Sequence, residues 1–245
     1  MSIRIPDMGR TASSISTLPI LYRDDRLVAV HKPAGMLVHR SPISQDRLFV
    51  LQTLRDQIGQ RVYPVHRLDR ATSGVLLFAL DSDTARTLVS QFEQREVGKH
   101  YLAVARGWTD ETGVIDHPVA DDEGNGVAQP ARTSYRRLAR VELPFAVDRY
   151  PTARYSLVDI QPDTGRRQQI RKHFKHISHH LVGDTTHGNG RHNRFFRQQF
   201  DIHRLLLQSQ QLDFRHPADD RQMTVRAAQD TTWQQIGALF DLRLF

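Results

Sequence analysis

His66-Arg67-Leu68-Asp69-Arg70-Ala71-Thr72-Ser73-Gly74 runs without a break into Val75-Leu76-Leu77-Phe78-Ala79-Leu80. A crowded polar turn therefore feeds a nearly continuous apolar run, which reads as a strand buried on both faces. Such a turn places its side chains at the mouth of a sheet-based cleft, where function collects. From composition alone the same turn also reads as a surface loop in which Asp69 pairs with Arg67 or Arg70.

Outward from this strand the chain alternates strands and helices. Leu27 to His31 is a short apolar strand stopped by Lys32-Pro33-Ala34-Gly35. Leu48 to Ile58 has helical spacing at Leu51, Leu54 and Ile58. Ser82 reads as the N-cap of a helix with Ala85, Leu88, Val89 and Phe92 on one face. Lys99 to Gly107 alternates as a strand, and Asp121 to Gly126 is an exposed glycine-bearing loop. Arg154 to Gln161 is a further alternating strand, ended by Pro162-Asp163-Thr164-Gly165. A basic helix with Ile170, Phe174 and Ile177 as its core stripe follows. Leu205 to Phe214 and Met223 to Ala227 read as late strands, and a last helix behind Asp230 buries Trp233, Ile236, Gly237 and Phe240. Strands and helices without a regular βαβ rhythm predict an α+β fold. No linker divides the chain, so residues 1–18 are expected to be a flexible tail ahead of a single domain over 19–245.

Composition narrows the function. The 245 residues contain no cysteine, which excludes disulfides, zinc-thiolate sites, iron–sulfur clusters and a thiol nucleophile, and fits a reducing, cytoplasmic setting. No window of 18 apolar residues exists to span a membrane, and the first 18 residues lack the apolar stretch of a secretory signal. Lys and Arg number 34 against 27 Asp and Glu, a formal +7. The excess is local: residues 1–122 carry 15 basic and 15 acidic side chains, and Gly165 to Arg204 carries nine basic residues against Asp184 and Asp201. A positive block on a balanced chain implies a polyanionic partner, and arginine, which forks onto phosphates and stacks on bases, suits RNA. Codon usage in a GC-rich genome accounts for most of the preference of Arg over Lys; the clustering is what points to the partner.

The turn over His66 to Gly74 resembles the catalytic signature of the RluA family of pseudouridine synthases. Three further segments match in the family's order: His31-Lys32-Pro33-Ala34-Gly35-Met36-Leu37-Val38-His39, Lys99-His100-Tyr101-Leu102-Ala103-Val104-Ala105-Arg106-Gly107, and Thr164-Gly165-Arg166-Arg167-Gln168-Gln169-Ile170-Arg171 with Val182-Gly183-Asp184. The resemblance spans Leu21 to Ala227. It implies a mixed, mainly antiparallel central sheet flanked by helices, with a catalytic cleft and no cofactor or metal. Additional stretches, among them Leu37 to Ser41, Gln52 to Gly59, Gln91 to Gln94 and Arg149 to Tyr155, are similar to the tRNA-modifying branch that lacks an S4 RNA-binding domain. That branch implies uridine 65 of tRNA as the target, with a ribosomal RNA site as the alternative. The absence of an obvious dimer helix favours a monomer.

By the same resemblance Asp69 is the nucleophile, Arg171 its cationic partner and Tyr101 the aromatic packed on the target base. Arg67 is the side chain that fills the gap left by an extruded nucleotide, and His66, Thr72, Arg166 and Lys32 are further substrate contacts. The chemistry explains these residue types. A carboxylate closed under RNA in a dry pocket tends to take up a proton, and one cation within about 4–6 Å opposes this by about 1–3 pKa units. A base cannot turn over inside a stack, so extrusion precedes reaction, and a guanidinium can stack where the base was. Gln168 and Gln208 depart from the family pattern, each standing where a histidine is usual, and Gly188 to Phe200 is an insert with no assigned role.

Three rival readings rest on single features. His173, His176, His179 and His180 suggest a metal-dependent nuclease or phosphoesterase, yet HxxH spacing lacks the accompanying glutamate of a metalloprotease helix. A non-catalytic RNA-binding protein would have no need of Asp69, Tyr101 and Arg171 together. Ser73 lacks the nucleophile elbow of a serine hydrolase.

Overall fold

The computed structural model describes residues 17–39, 48–120 and 126–242. The tail through residue 16, Arg40 and Ser41 of the Leu37 to Ser41 stretch, and residues 121–125 of the glycine-bearing loop lie outside the described residues.

The elements in chain order begin with β1 (Ile20–Arg23), β2 (Leu27–Lys32), α1 (Val50–Ile58), β3 (Tyr63–Pro64), β4 (Ser73–Ala79) and α2 (Ser82–Glu93). Next come β5 (Gly98–Arg106), β6 (Thr112–Asp116), β7 (Val119–Ala120), β8 (Ala128–Gln129), β9 (Arg132–Leu143) and β10 (Ala153–Pro162). The chain closes with α3 (Gln169–His176), α4 (Gly190–Phe200), β11 (Leu207–Arg215), β12 (Gln222–Arg226) and α5 (Thr231–Leu239). The main sheet runs β1-β2-β4-β11-β5-β10-β9-β6, with β12 added to β11 and β3 to β4. Among these pairings β4 with β11 is parallel and the rest are antiparallel. The α+β expectation of a mixed, mainly antiparallel sheet is the architecture found.

Every residue of β4 is buried because apolar clusters cover both its faces. Val75, Leu77 and Ala79 enter one cluster with Leu88 of α2, whereas Leu76 and Phe78 enter another with Val50 and Leu54 of α1. β5 behaves alike: Leu102 and Val104 face one cluster and Ala103 and Ala105 another, so Leu102 to Ala105 is uniformly buried where alternation was expected. Each such Leu, Val or Phe contributes roughly 1.5–3 kcal/mol through burial, and that is why the sheet's middle strands form the rigid floor beneath the turn at Asp69.

Two details correct the sequence reading. The cap of α2 is Asp81, whose Oδ1 accepts from the amides of Asp83 and Thr84 at 3.0 and 2.8 Å, and Ser82 is already the first helical residue. Both residues are good caps, but the carboxylate reaches both free N–H groups. The insert from Gly188 to Phe200 is helix α4, started by Asn189, whose side chain accepts from Arg191 and His192 N–H. No helix among the described residues is long and apolar enough to cross a membrane.

Candidate active site

Strand β4 begins one residue after the turn that carries Asp69. Thr72 N–H donates to the Asp69 carbonyl at 3.1 Å, closing the turn. A second loop, Lys32 to Gly35, clamps it from outside: Gly35 N–H donates to the Arg70 carbonyl at 2.8 Å, and Arg70 Nε donates to the Gly35 carbonyl at 2.9 Å. Beneath, Gly74 lies opposite Ser209 in the parallel pair with φ +112°, and a Cβ there would sit 2.1 Å from the Ser209 carbonyl oxygen. Only glycine permits that approach. The turn is thus fixed on three sides.

It opens onto a cleft of about 580 Å³ lined by Asp69, Arg171, Tyr101, Arg67, His66, Thr72 and Arg166, joined by Lys99 and Gln168. Seven residues singled out in the sequence therefore share one cavity although they lie up to 105 positions apart. Lys32 does not line it. Its side chain is wholly buried and its Nζ donates to the Pro33 and Arg70 carbonyls at 2.8 and 3.1 Å, so it ties the two loops together instead of facing substrate.

Arg171 Nη1 lies 3.5 Å from Asp69 Oδ2; the arginine side chain is 5% exposed and the aspartate 20%. Asp69 thus has a cationic partner from α3, while Arg70 of its own turn donates from Nε to the Gly35 loop. The remaining edge of the Arg171 guanidinium is forked onto Asp184, Nε to Oδ2 at 2.7 Å and Nη2 to Oδ1 at 2.8 Å. Burial works against charge in Arg171, but Asp184 and Asp69 outweigh it and raise its pKa further. Burial likewise pushes the Asp184 carboxyl up, and the bonds from Arg171 and from the His187 and Thr186 amides overcome it and hold the group below the usual range. Sequence pattern assigns Asp184 no role. Its buried position behind Arg171 follows from a contact between residues 13 apart, which no local pattern encodes.

Tyr101 bridges two of the apolar clusters, and burial, with the Asp69 charge, pushes its phenol up to about 12. It stays neutral and offers a flat ring. His66 accepts from Leu77 N–H through Nε2 at 3.0 Å and stacks on Phe92 at 4.6 Å; burial and then Lys99 push its pKa down to about 3. Lys99, on the cleft wall, donates to the Thr164 carbonyl at 3.2 Å and is lowered to about 8, chiefly by burial.

The start of α3 is built by Gln169. Its Oε1 accepts from Thr164 Oγ1 and Arg166 N, and its Nε2 donates to the Arg132 carbonyl and Thr133 Oγ1. Gln168, in the left-handed conformation at φ +55°, turns its Oε1 to His187 Nε2 at 2.6 Å. Gln208 is buried beside Gln210, its Nε2 donating there at 2.8 Å. The histidines of the metal reading go to separate partners: His173 to Thr133 and the His117 carbonyl, His179 to the Arg106 carbonyl and His180 to the His187 carbonyl. Among the described residues no group of three His, Asp or Glu is placed to hold a metal ion.

This constellation can attack an electrophilic carbon with a carboxylate while a fixed cation stands beside it. Residues 26–176 match the RNA pseudouridylate synthase family. The chain belongs to that family. It is similar to the tRNA pseudouridine synthase C of Vibrio parahaemolyticus, 47% identical over 234 residues that cover 91% of this chain and 95% of that one. Likeness to the protein of the same name from Vibrio cholerae reaches 49% over 227 residues, covering 89% and 93%. Among solved structures, Human RNA Pseudouridylate Synthase Domain Containing 4 superimposes with a TM-score of 0.71 at 23% identity, over 92% of this chain and 94% of that one. That likeness supports the pseudouridylate synthase fold.

Proposed function

We propose that this member of the family is a tRNA pseudouridine synthase acting on uridine 65, with Asp69 as nucleophile. The observation that carries the reading is the partly open Asp69 carboxylate held 3.5 Å from a buried guanidinium on the floor of a cleft. The tRNA substrate follows from relatives at 47–49% identity named tRNA pseudouridine synthase C.

The isomerisation breaks the uridine N1–C1′ bond, turns the base and joins C5 to C1′; C5 then loses its proton to a base and N1 takes one up, so the formula is unchanged. It needs no cofactor, only a positioned nucleophile and groups that bind the base. Asp69 attacks base or ribose, and Arg171 supplies the positive charge that keeps a carboxylate useful in a closed site. Tyr101 packs on the flipped base. Arg67, on the exposed side of the turn, enters the stack that the nucleotide leaves. His66 and Thr72 shape the wall, Arg166 meets phosphate at the rim, and Lys32 positions the turn from behind. The working unit is residues 19–245, acting as a monomer in the cytoplasm.

The test is a map of pseudouridines in total RNA from a strain lacking this protein, paired with purified protein on a tRNA transcript. Loss of a single tRNA site, restored by the protein, is the expected result. Loss confined to ribosomal RNA would move the substrate, and an unchanged map with no activity on any RNA would overturn the reading.

A further inference from the structure

Two segments stay outside the catalytic reading: helix α4 and the Phe145 to Thr152 connection between β9 and β10. The fold joins them. Phe145 packs on Phe195 with ring centroids 5.4 Å apart, and Arg191 of α4 forms an ion pair with Asp148 of the connection.

Helix α4 has two unlike faces. Inward, His192, Asn193, Phe195 and Phe196 are buried, and Asn193 accepts from Gly183 N–H and donates to the Asp184 carbonyl at 2.8 and 2.7 Å. Asp184 is the carboxylate that forks onto Arg171, so the helix is locked to the floor of the active site. Outward, Arg191, Arg194 and Arg197 are exposed at three-residue steps, a stripe about 9 Å long at about 1.5 Å per residue. Beside the stripe Phe145 and Tyr150 are 40% and 46% exposed. The Arg149 guanidinium lies over the Tyr150 ring at 5.1 Å and bonds its hydroxyl at 2.9 Å.

The acids nearby are already engaged. Asp148 pairs with Arg191, Glu142 with Arg154 and Thr152, and Asp201 with His203. Arg149, Arg194 and Arg197 are left as surplus positive charge around exposed aromatic rings. Arginines that reach phosphates, next to rings on which a base can stack, are the chemistry of RNA contact. The helix also lies beyond residue 176, where the family-wide match ends, yet relatives named tRNA pseudouridine synthase C match 91% of this chain, more than its first 176 residues can supply.

We propose that α4 and the β9–β10 connection form a second RNA-binding face, outside the cleft, which grips the backbone and a stacked base of the same substrate. This rests on the proposed function for the identity of the RNA. Because Asn193 bolts the helix to Asp184, a phosphate held on the stripe stands at a fixed distance from Asp69, and the face acts as a ruler for the target uridine.

The experiment compares the intact protein with R194E/R197E, R194Q/R197Q and Tyr150→Ala, using a folded tRNA transcript. Binding of labelled tRNA is read across a salt series, and KM and kcat for pseudouridine formation are read in parallel. The expected result is Kd and KM raised about tenfold with kcat within twofold, and a log–log salt slope shallower by about 1.5 for the double variants, since each duplex or single-strand phosphate contact contributes about 0.7–0.9. The altered side chains are exposed; should charge reversal unfold the protein, the glutamine pair gives the same reading. Unchanged Kd and slope overturn the proposal, as does a fall in kcat with KM unchanged. The binding arm separates the two readings: protein that binds tRNA through this face but forms no pseudouridine fails the proposed function alone.

Discussion

Arg171 meets Asp69 through one nitrogen, Nη1 at 3.5 Å, because Nε and Nη2 of the same guanidinium are committed to Asp184 at 2.7 and 2.8 Å. The two carboxylates therefore do different work. Asp184, almost wholly buried, fixes the plane of the cation. Asp69 receives a charge at its side without a two-point fork that would occupy both its oxygens, and so keeps lone pairs free, as the proposed role of nucleophile requires.

Asp69→Asn is expected to fold, to bind tRNA as the parent does and to form no pseudouridine. The amide keeps the shape and the contact to Arg171 but is a poor nucleophile, and removing a nucleophile costs on the order of 10⁴-fold or more in kcat. Thermal melting, tRNA binding and single-turnover product formation check the three parts. Substantial turnover by the variant would transfer the chemistry to another group.

Asp184→Ala leaves Arg171 buried with one distant partner. Removing one member of a buried pair destabilises by about 3–5 kcal/mol, and activity falls with it as the cation loses its orientation. Asp184→Asn is expected to fold better and to remain slow. The lowered carboxyl of Asp184 also sets a direction with pH: its contribution is complete above the ordinary aspartate value of 3.8 and is lost on acidification through its lower folded value. Urea unfolding of the parent beside both variants, from pH 7 down to pH 3, reads this directly: the parent's advantage holds above 3.8 and shrinks below it.

What was legible in the sequence was whatever local pattern carries. The run from Val75 to Leu80 announced a strand covered on both faces, and α3 showed its apolar stripe at Ile170 and Phe174. The cleft residues were legible because each sits in a short motif of its own segment. Contacts set by tertiary approach were hidden. β9 carries Arg132, Arg136, Arg137 and Arg140, charges that mask a strand paired over its length with β10. Lys32 was expected among the substrate contacts, yet it is wholly buried, its Nζ donating to two backbone carbonyls. Helix α4 was obscured by its arginines and by an Asn cap that also fits a turn.

Gly74→Ala tests the packing under the turn. A Cβ would meet the Ser209 carbonyl oxygen at 2.1 Å, and φ at +112° is strained for alanine in any case. β4 and β11 would have to separate at the one place where they run parallel. Loss of stability on the order of 3 kcal/mol or more is expected from overpacking with backbone strain. A melting temperature within a degree or two of the parent would mean that the strands can part cheaply.

Arg67→Ala tests base extrusion separately from chemistry. On folded tRNA the vacated stack is left open, and loss of one stacking partner is worth about 1–3 kcal/mol, or roughly 5–150-fold in kcat/KM. An unstructured oligonucleotide containing the same uridine has little stacking to lose, so the variant should nearly match the parent on it. Equal losses on both substrates would place Arg67 on the reacting nucleotide itself.

Lys32→Met separates burial from charge. Burial lowers the Lys32 amine from 10.5 to about 7, with Arg204 and Arg70 adding to the shift and Asp69 opposing it. Between those values the unfolded chain holds a proton that the native protein has released, so native stability rises with pH across this window, by up to about 1.36 kcal/mol per unit. Methionine fills the same space and has no proton to release. The stability of the parent relative to Lys32→Met should therefore climb by about 3–4 kcal/mol from pH 7 to pH 10, measured by urea unfolding at each pH. A difference that stays flat would show that the ammonium keeps its charge against the Pro33 and Arg70 carbonyls throughout, and the two loops would then be joined by a cation and not by a neutral amine.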